Sequence, residues 1–414
     1  VDAMLDPLQI INTRRNVPHY DLHLSIRKVI VVLTSPRSGS SLLKDVLANH
    51  PDIASLDGEI EPYLALTGNG FGFASGSDAI QTLSNKTELL DNIFDDLSIA
   101  TEDAPSIAYL KARWAKRLPL QFPTLFSKQD AHSQMLQVLD DTLTESNLTN
   151  YAPGCLQSLI LHRLFRSEPW RIAYYDGQSR DCGMNCFDEE MKIEEPPFVT
   201  PRIYRRPFAK EDAADKVLLF KTPPDAYRIG MYEKLFPNAQ IKYLYLTRGY
   251  AQTVNGLMDG WLSPVGFFSH DVGKIGIPLS IKGYSDRVAY GKQWWKFDMP
   301  PNWKEFTNAN LEEVCLNQWL SAHRSIRASR VSTLRIRFET FLQNPSAVTD
   351  QIMANFGMRP MKLPPALPVT MATDTPKSRR WEKRKDRLLE LGKRAEVREM
   401  MDALDYEMVP EKWV

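Results

Sequence analysis

Residues 29–49 constrain the fold more than any other stretch. An apolar run, Val29-Ile30-Val31-Val32-Leu33, meets a polar turn, Thr34-Ser35-Pro36-Arg37-Ser38-Gly39-Ser40-Ser41. A helical pattern then runs from Leu42 to Asn49, and Pro51 stops it, because proline disfavours helical geometry in the residue before it. A short β-branched run leading straight into a helix is a βα unit. In such a unit the turn's N–H groups and the helix N-terminus converge on one point and attract anions. A tight connection with a serine N-cap explains the same residues without a ligand.

The same grammar recurs downstream. Ile53-Ala54-Ser55-Leu56 reads as a short strand followed by an acidic turn, Asp57-Gly58-Glu59-Ile60-Glu61-Pro62. Val217-Leu218-Leu219-Phe220 is a strand ending in Lys221-Thr222-Pro223-Pro224, with a helix expected over Ala226–Leu235. Ile241–Leu246 closes on Thr247-Arg248 before a helix over Ala251–Met258. A further strand falls at Thr333–Phe338 and a helix at Ala347–Phe356, with Gly357 as its C′ residue. Short strands alternating with helices predict a parallel sheet with helices on both faces. Between these units, residues 64–85 read as a Gly/Ser-rich loop or lid, about 86–170 as a helical insertion, and 175–215 as loop. Residues 261–306 are rich in aromatics, either the wall of an apolar acceptor pocket or a satellite core, and the proline-rich 359–368 is a linker or wrap. The whole chain, 1–414, is expected to form one domain, with its core at about 28–62 and 217–357 and a basic tail at 369–414.

Charge excludes some classes. Fifty-one basic residues balance 51 acidic ones, so no global field points to nucleic acid, and any anion must be held by local clusters. No apolar run approaches the ~18 residues of a membrane span, and the N-terminus lacks a signal peptide's basic-then-apolar pattern. Cys155, Cys182, Cys186 and Cys315 are too few for a disulfide framework, and the Cys182–Cys186 spacing fits neither zinc nor redox chemistry well. The expectation is a reduced, cytoplasmic protein whose oligomeric state is not legible.

The chemistry-bearing residues sit at strand ends. The turn 34–41 is not a Walker A loop: Gly39 is its one glycine, and the basic residue, Arg37, precedes it. Ser38, Ser40 and Ser41 offer hydroxyls and Arg37 a forked cation, which suits a phosphate or sulfate held without magnesium. Arg248 is placed for a second phosphate, outside the carboxyl end of its strand. Lys221, at the end of the neighbouring strand, can neutralise a leaving oxygen. Glu59 and Glu61 are candidates to take a proton from an attacking hydroxyl. Each of these has a plain alternative as a solvated surface charge. No histidine pairs at metal-ligand spacing, and no metal is expected.

Together these pieces resemble sulfotransferases that use 3′-phosphoadenosine-5′-phosphosulfate (PAPS). Ser35–Leu43 is similar to that family's 5′-phosphosulfate loop in the Arg-Ser-Gly-Ser form of bacterial and Golgi-type members. Phe220-Lys221-Thr222-Pro223 is similar to its Lys-Thr strand end, and Phe236-Pro237-Asn238-Ala239 with Leu244–Arg248 to its segment carrying the 3′-phosphate arginine. Arg337–Pro345 resembles a further recurrent motif. The likeness departs at Gly256, where the family usually has a serine, and at Pro223, where cytosolic members carry a catalytic histidine.

The resemblance implies a P-loop-like three-layer α/β sandwich, its central parallel sheet flanked by helices. It implies sulfuryl transfer from PAPS to a hydroxyl or amine of a small-molecule, lipid or carbohydrate acceptor. Arg37, Ser38, Gly39, Ser40 and Ser41 would hold the 5′-phosphosulfate, and Arg248, Asn255 and Gly256 the 3′-phosphate. Lys377, Arg380 and Trp381 would add phosphate and adenine contacts. Glu61, with Glu59 as the alternative, would be the base, and Lys221 and Arg37 would stabilise developing charge. A nucleotide-dependent kinase and a non-catalytic nucleotide- or anion-binding protein are the competing readings.

Overall fold

The structure is a computed structural model describing residues 6–145, 152–172, 193–194, 203–263, 269–372 and 376–414. Cys182, Cys186, Phe267, Phe268 and most of the expected 175–215 loop lie outside them.

Seven strands form the main sheet: β1 (Lys28–Leu33), β2 (Ile53–Ser55), β3 (Ser98–Ala100), β4 (Arg205–Pro207), β5 (Val217–Lys221), β6 (Gln240–Thr247) and, after a two-stranded β7 (Ser269–Asp271) and β8 (Trp294–Lys296), β9 (Thr333–Arg337). Their order is β4-β3-β2-β5-β1-β6-β9. The run β2-β5-β1-β6-β9 is parallel throughout, with Val32 opposite Lys221 and Leu33 opposite Tyr245. The five strands expected from the sequence are these five. The sheet is nevertheless mixed, because β3 and β4 add antiparallel at one edge.

The central strands alternate between two cores, as a sheet covered on both faces must. Val29, Val31 and Leu33 join one hydrophobic cluster with Leu218, Phe220, Tyr243 and Tyr245. Ile30 and Val32 join the other with Val217, Leu219, Leu244 and Leu246. The helical insertion buries a third cluster of its own, which includes Leu139, Leu143, Leu156 and Ile160.

Two expectations need correction. Ala226–Leu235 is not one helix: a 3₁₀ turn at Pro223–Tyr227 and a short helix at Met231–Leu235 are separated at Gly230, whose φ of +98° suits glycine. The described aromatic segment is chiefly main core. Trp261, Tyr284, Trp295 and Trp303 are fully buried, with Trp261 edge-on to Tyr284 at 4.7 Å and to Trp295 at 5.2 Å.

Candidate active site

Because the five strands run parallel, their carboxyl ends share one edge, and the residues leaving that edge line a cavity of about 650 Å³. Its wall contains Arg37, Gly39, Ser40 and Ser41 after β1, Glu59 and Glu61 after β2, Lys221 at the end of β5, Arg248 after β6, and Phe338 and Glu339 after β9. Ligand crevices in open α/β sheets form at this edge. A smaller cavity, about 70 Å³, shares Arg37, Arg248, Lys377 and Arg380 and adds Asn255, Gly256 and Trp381.

The loop after β1 is shaped for an anion. Helix Ser40–Leu47 starts at Gly39, and among the described residues no side chain caps it, so the serine N-cap of the ligand-free alternative is absent. Uncapped N–H groups at a helix start carry a partial positive charge. Gly39 sits at φ +86°, and a methyl built on it would fall 2.5 Å from Phe338 Cδ2 and closer still to the rest of that ring's edge. The loop therefore depends on glycine both for its turn and for the aromatic laid against it. Ser38 turns inward: its hydroxyl meets Thr34 Oγ1 and the Ser35 carbonyl, and it is absent from the cavity wall. Arg37, itself at φ +61°, donates from Nη1 to the Met371 carbonyl at 2.9 Å. Thr370 reaches Asp45 at 3.1 Å, so the chain after the proline-rich segment lies across the cavity as a strap.

The basic residues converge. Arg248 is seated over the Phe338 ring, 5.1 Å from its centroid, and donates to the Arg37 carbonyl at 3.2 Å. Among the described residues its Nε is buried without a hydrogen-bond partner. Burial pushes its guanidinium below the usual range, and Arg37 adds to that against the pull of Glu339. A half-buried arginine beside another arginine favours a negative charge next to it. Arg380 is tied to Asp259 at 2.9 Å, and the same carboxylate takes Lys383 and Arg384. Asn255 accepts from Arg384 at 2.5 Å through its oxygen, which leaves the amide nitrogen as the donor it can offer. A Cβ on Gly256 would meet Arg37 Cβ at an ordinary 3.5 Å. Trp381 lines the smaller cavity, yet its ring is fully buried against Trp413, 5.2 Å away.

The two glutamates have different partners. Glu59 forms an ion pair with Lys221, whose Nζ also reaches Ser41 Oγ at 3.1 Å. Glu61 pairs with Arg228, which also holds Asp225 at 2.7 Å. One guanidinium thus serves two carboxylates. Burial lifts the Glu61 carboxyl to about 7 despite Arg228, with Asp78 and Asp225 adding to the rise. Lys44 anchors the loop carrying both glutamates, donating to the carbonyls of Leu56 at 2.6 Å and Asp57 at 3.0 Å, and burial lowers it to about 8.

Sequence reasoning gave no site role to Arg228 or Phe338, and it read the proline-rich segment leading into the strap only as a linker or wrap. Arg228 had one signal, an acid three residues before it in Asp225. Phe338 lay inside the Arg337–Pro345 segment, but its contact with the loop after β1 depends on which strand neighbours β6. Among the described residues no cluster of His, Cys, Asp and Glu is placed to hold a metal ion, and no helix is long and apolar enough to cross a membrane.

No protein-family model matches the chain, and no curated protein matches it in sequence. Solved structures similar to it include the sulfotransferase domain from the curacin biosynthetic pathway, at 13% identity and a TM-score of 0.35, covering 93% of this chain and 99% of that one. The sulfotransferase domain from the Synechococcus PCC 7002 olefin synthase is 12% identical at a TM-score of 0.35, over 95% and 99%. Sulfotransferase STF1 from Mycobacterium tuberculosis H37Rv is 9% identical at 0.29, over 85% and 73%. All three are sulfotransferases.

Proposed function

We propose that the chain transfers a sulfuryl group from PAPS to a hydroxyl or amine of a small-molecule, lipid or carbohydrate acceptor. The observation that carries this reading is the pairing of two anion-seeking places in one cavity system. One is the uncapped start of helix Ser40–Leu47 beside Lys221; the other is Arg248 against Arg37. A Walker lysine is missing from the loop, which disfavours a magnesium nucleoside triphosphate.

In this reading the N–H groups of Ser40 and Ser41, with Arg37, hold the 5′-phosphosulfate. Arg248, the Asn255 amide and Lys377 hold the 3′-phosphate, with Arg380 and Trp381 completing the wall. Glu61 takes the acceptor's proton. A carboxyl near 7 is matched to that task at neutral pH; each glutamate keeps a basic partner, Glu61 with Arg228 and Glu59 with Lys221. The acceptor oxygen bonds to sulfur as the sulfur–oxygen bond to the 5′-phosphate breaks. The electron pair stays on the phosphate oxygen, where Lys221 and Arg37 offset its charge. Alignment and charge placement supply the rate, as in phosphoryl transfer.

Calorimetry with adenosine 3′,5′-bisphosphate and with AMP tests the donor site. The bisphosphate should bind at least about tenfold tighter, a difference of about 1.4 kcal/mol. Equal affinity removes PAPS from the reading. Glu61→Gln and Lys221→Ala should each lower sulfuryl transfer while retaining bisphosphate binding, and full transfer by both refutes the assigned roles.

A further inference from the structure

Asp298 lines the larger cavity and is 1% exposed. Its Oδ2 accepts a hydrogen bond from the Tyr227 hydroxyl at 2.7 Å. Its Oδ1 is buried, and among the described residues neither a hydrogen bond from another residue nor an ion pair reaches it; the residue's own backbone N–H is the further donor to the carboxyl. A buried carboxyl ordinarily has a cation or a full set of donors.

The backbone around Asp298 is held firmly. Gln318 Nε2 donates to the carbonyls of Lys296 at 2.9 Å and Asp298 at 2.8 Å, and Trp295 Nε1 to the latter at 3.0 Å. Between those carbonyls Phe297, also in the cavity wall, takes φ +61°, a left-handed conformation that is costly for an aromatic residue. Strain of this kind persists where surrounding contacts over-determine it, and it gathers at ligand walls.

The neighbourhood is acidic. Glu61 lines the same cavity, and the charge of Asp78 acts on both Glu61 and Asp298. Asp78 is itself held by His270 Nε2 at 2.9 Å and the Met299 amide at 2.5 Å. Arg228 is already shared by Glu61 and Asp225.

We propose that Asp298 is the docking point for an ammonium group, so that the acceptors of this chain are alcohols carrying a protonated amine. The word acceptor rests on the sulfuryl-transfer reading; the ammonium site rests on Asp298 alone. An ammonium supplies both a donor from outside the residue, beyond the Tyr227 hydroxyl and the Asp298 backbone N–H, and a positive charge. A neutral hydroxyl supplies only the first, and a carboxylate is repelled by Glu61 and Asp78. Burial holds the Asp298 carboxyl well above its usual range, and a cation beside it reverses that direction.

Three probes of one shape test this: tyramine, tyrosol and 4-propylphenol, which end in ammonium, hydroxyl and methyl. Calorimetry on the full chain, with and without adenosine 3′,5′-bisphosphate, should give tyramine at least about tenfold tighter binding than either isostere. Asp298→Asn should make the three indistinguishable. Tyr227→Phe, which removes the hydrogen bond to Oδ2 and disfavours the carboxylate, should narrow the preference without abolishing it. Equal binding of the three, no binding in the millimolar range, or a preference surviving in a folded Asp298→Asn protein overturns the proposal. If that variant does not fold, an unchanged preference in Tyr227→Phe overturns it. Failure of the bisphosphate to bind refutes sulfuryl transfer and leaves the ammonium measurement on nucleotide-free protein standing.

Discussion

Gly39→Ala tests whether the anion loop is held by the ring laid on it. The substitution acts in two ways. It forces alanine into φ +86°, which costs about 1–2 kcal/mol for an L-residue. It also drives a methyl into the Phe338 ring edge, 2.5 Å from Cδ2, where the core cannot give freely because Phe338 is only 6% exposed. Overpacking of that kind costs about 1–3 kcal/mol. Together they predict a loss of about 2–5 kcal/mol in urea denaturation, a large share of the ~5–15 kcal/mol that holds a typical domain. The ring that must move also carries Arg248, so bisphosphate affinity should fall by about tenfold or more. The decisive control is Phe338→Leu. In that background the same change at Gly39 should cost mainly the backbone part, about 1–2 kcal/mol, giving a coupling within the range seen for residues in contact. An equal cost in both backgrounds refutes the steric account, and an unchanged midpoint in the single variant refutes both parts.

Other predictions concern charge. With Glu61 as base, kcat/KM should fall as pH drops through about 7, because only the carboxylate can take the proton; a profile flat down to pH 5 refutes the assignment. Lys44 falls from 10.5 to about 8 on burial, so the unfolded chain binds more protons between those values and this group's contribution makes stability rise with pH across that window. The rise amounts to about 3 kcal/mol, and the difference in urea stability between wild type and Lys44→Met should carry it; a pH-independent difference removes the argument. Gly256→Ser should fold normally, since its Cβ meets Arg37 at 3.5 Å, and should tighten bisphosphate binding by supplying a hydroxyl beside Asn255; weaker binding shows that the space is already taken.

What the sequence disclosed and what it hid divide along physical lines. β1 and β5 were legible because buried parallel strands are continuous apolar runs, and the edge strand β9 because its apolar residues Leu334 and Ile336 alternate with polar ones. Arg37, Lys221, Arg248 and the two glutamates were legible as charges at the ends of such runs. β3 and β4 were not, since three residues such as Ser98-Ile99-Ala100 carry no period and form only by pairing with β2 and with each other. The partners of Glu59 and Glu61 were hidden for a related reason: which cation meets which acid depends on tertiary placement, not on spacing. The tryptophans of 261–306 illustrate the same limit from the other side. Aromatic density announces burial, but Trp295 in the core and Phe297 in the cavity wall are separated by a single left-handed backbone step that composition does not encode.

The contact between Gly39 and Phe338 bears on how the chain is made. A ribosome delivers the glycine loop early and the ring that shapes it only after β9, so the cradle is a late product although its residues emerge among the first. Until β9 docks beside β6, the loop lacks its backing and Arg248 lacks its seat. Contacts so distant in sequence form slowly. Ligand binding at this edge is therefore a readout of completed synthesis: a chain stopped short of Phe338 carries the 34–41 turn in full and should not bind adenosine 3′,5′-bisphosphate.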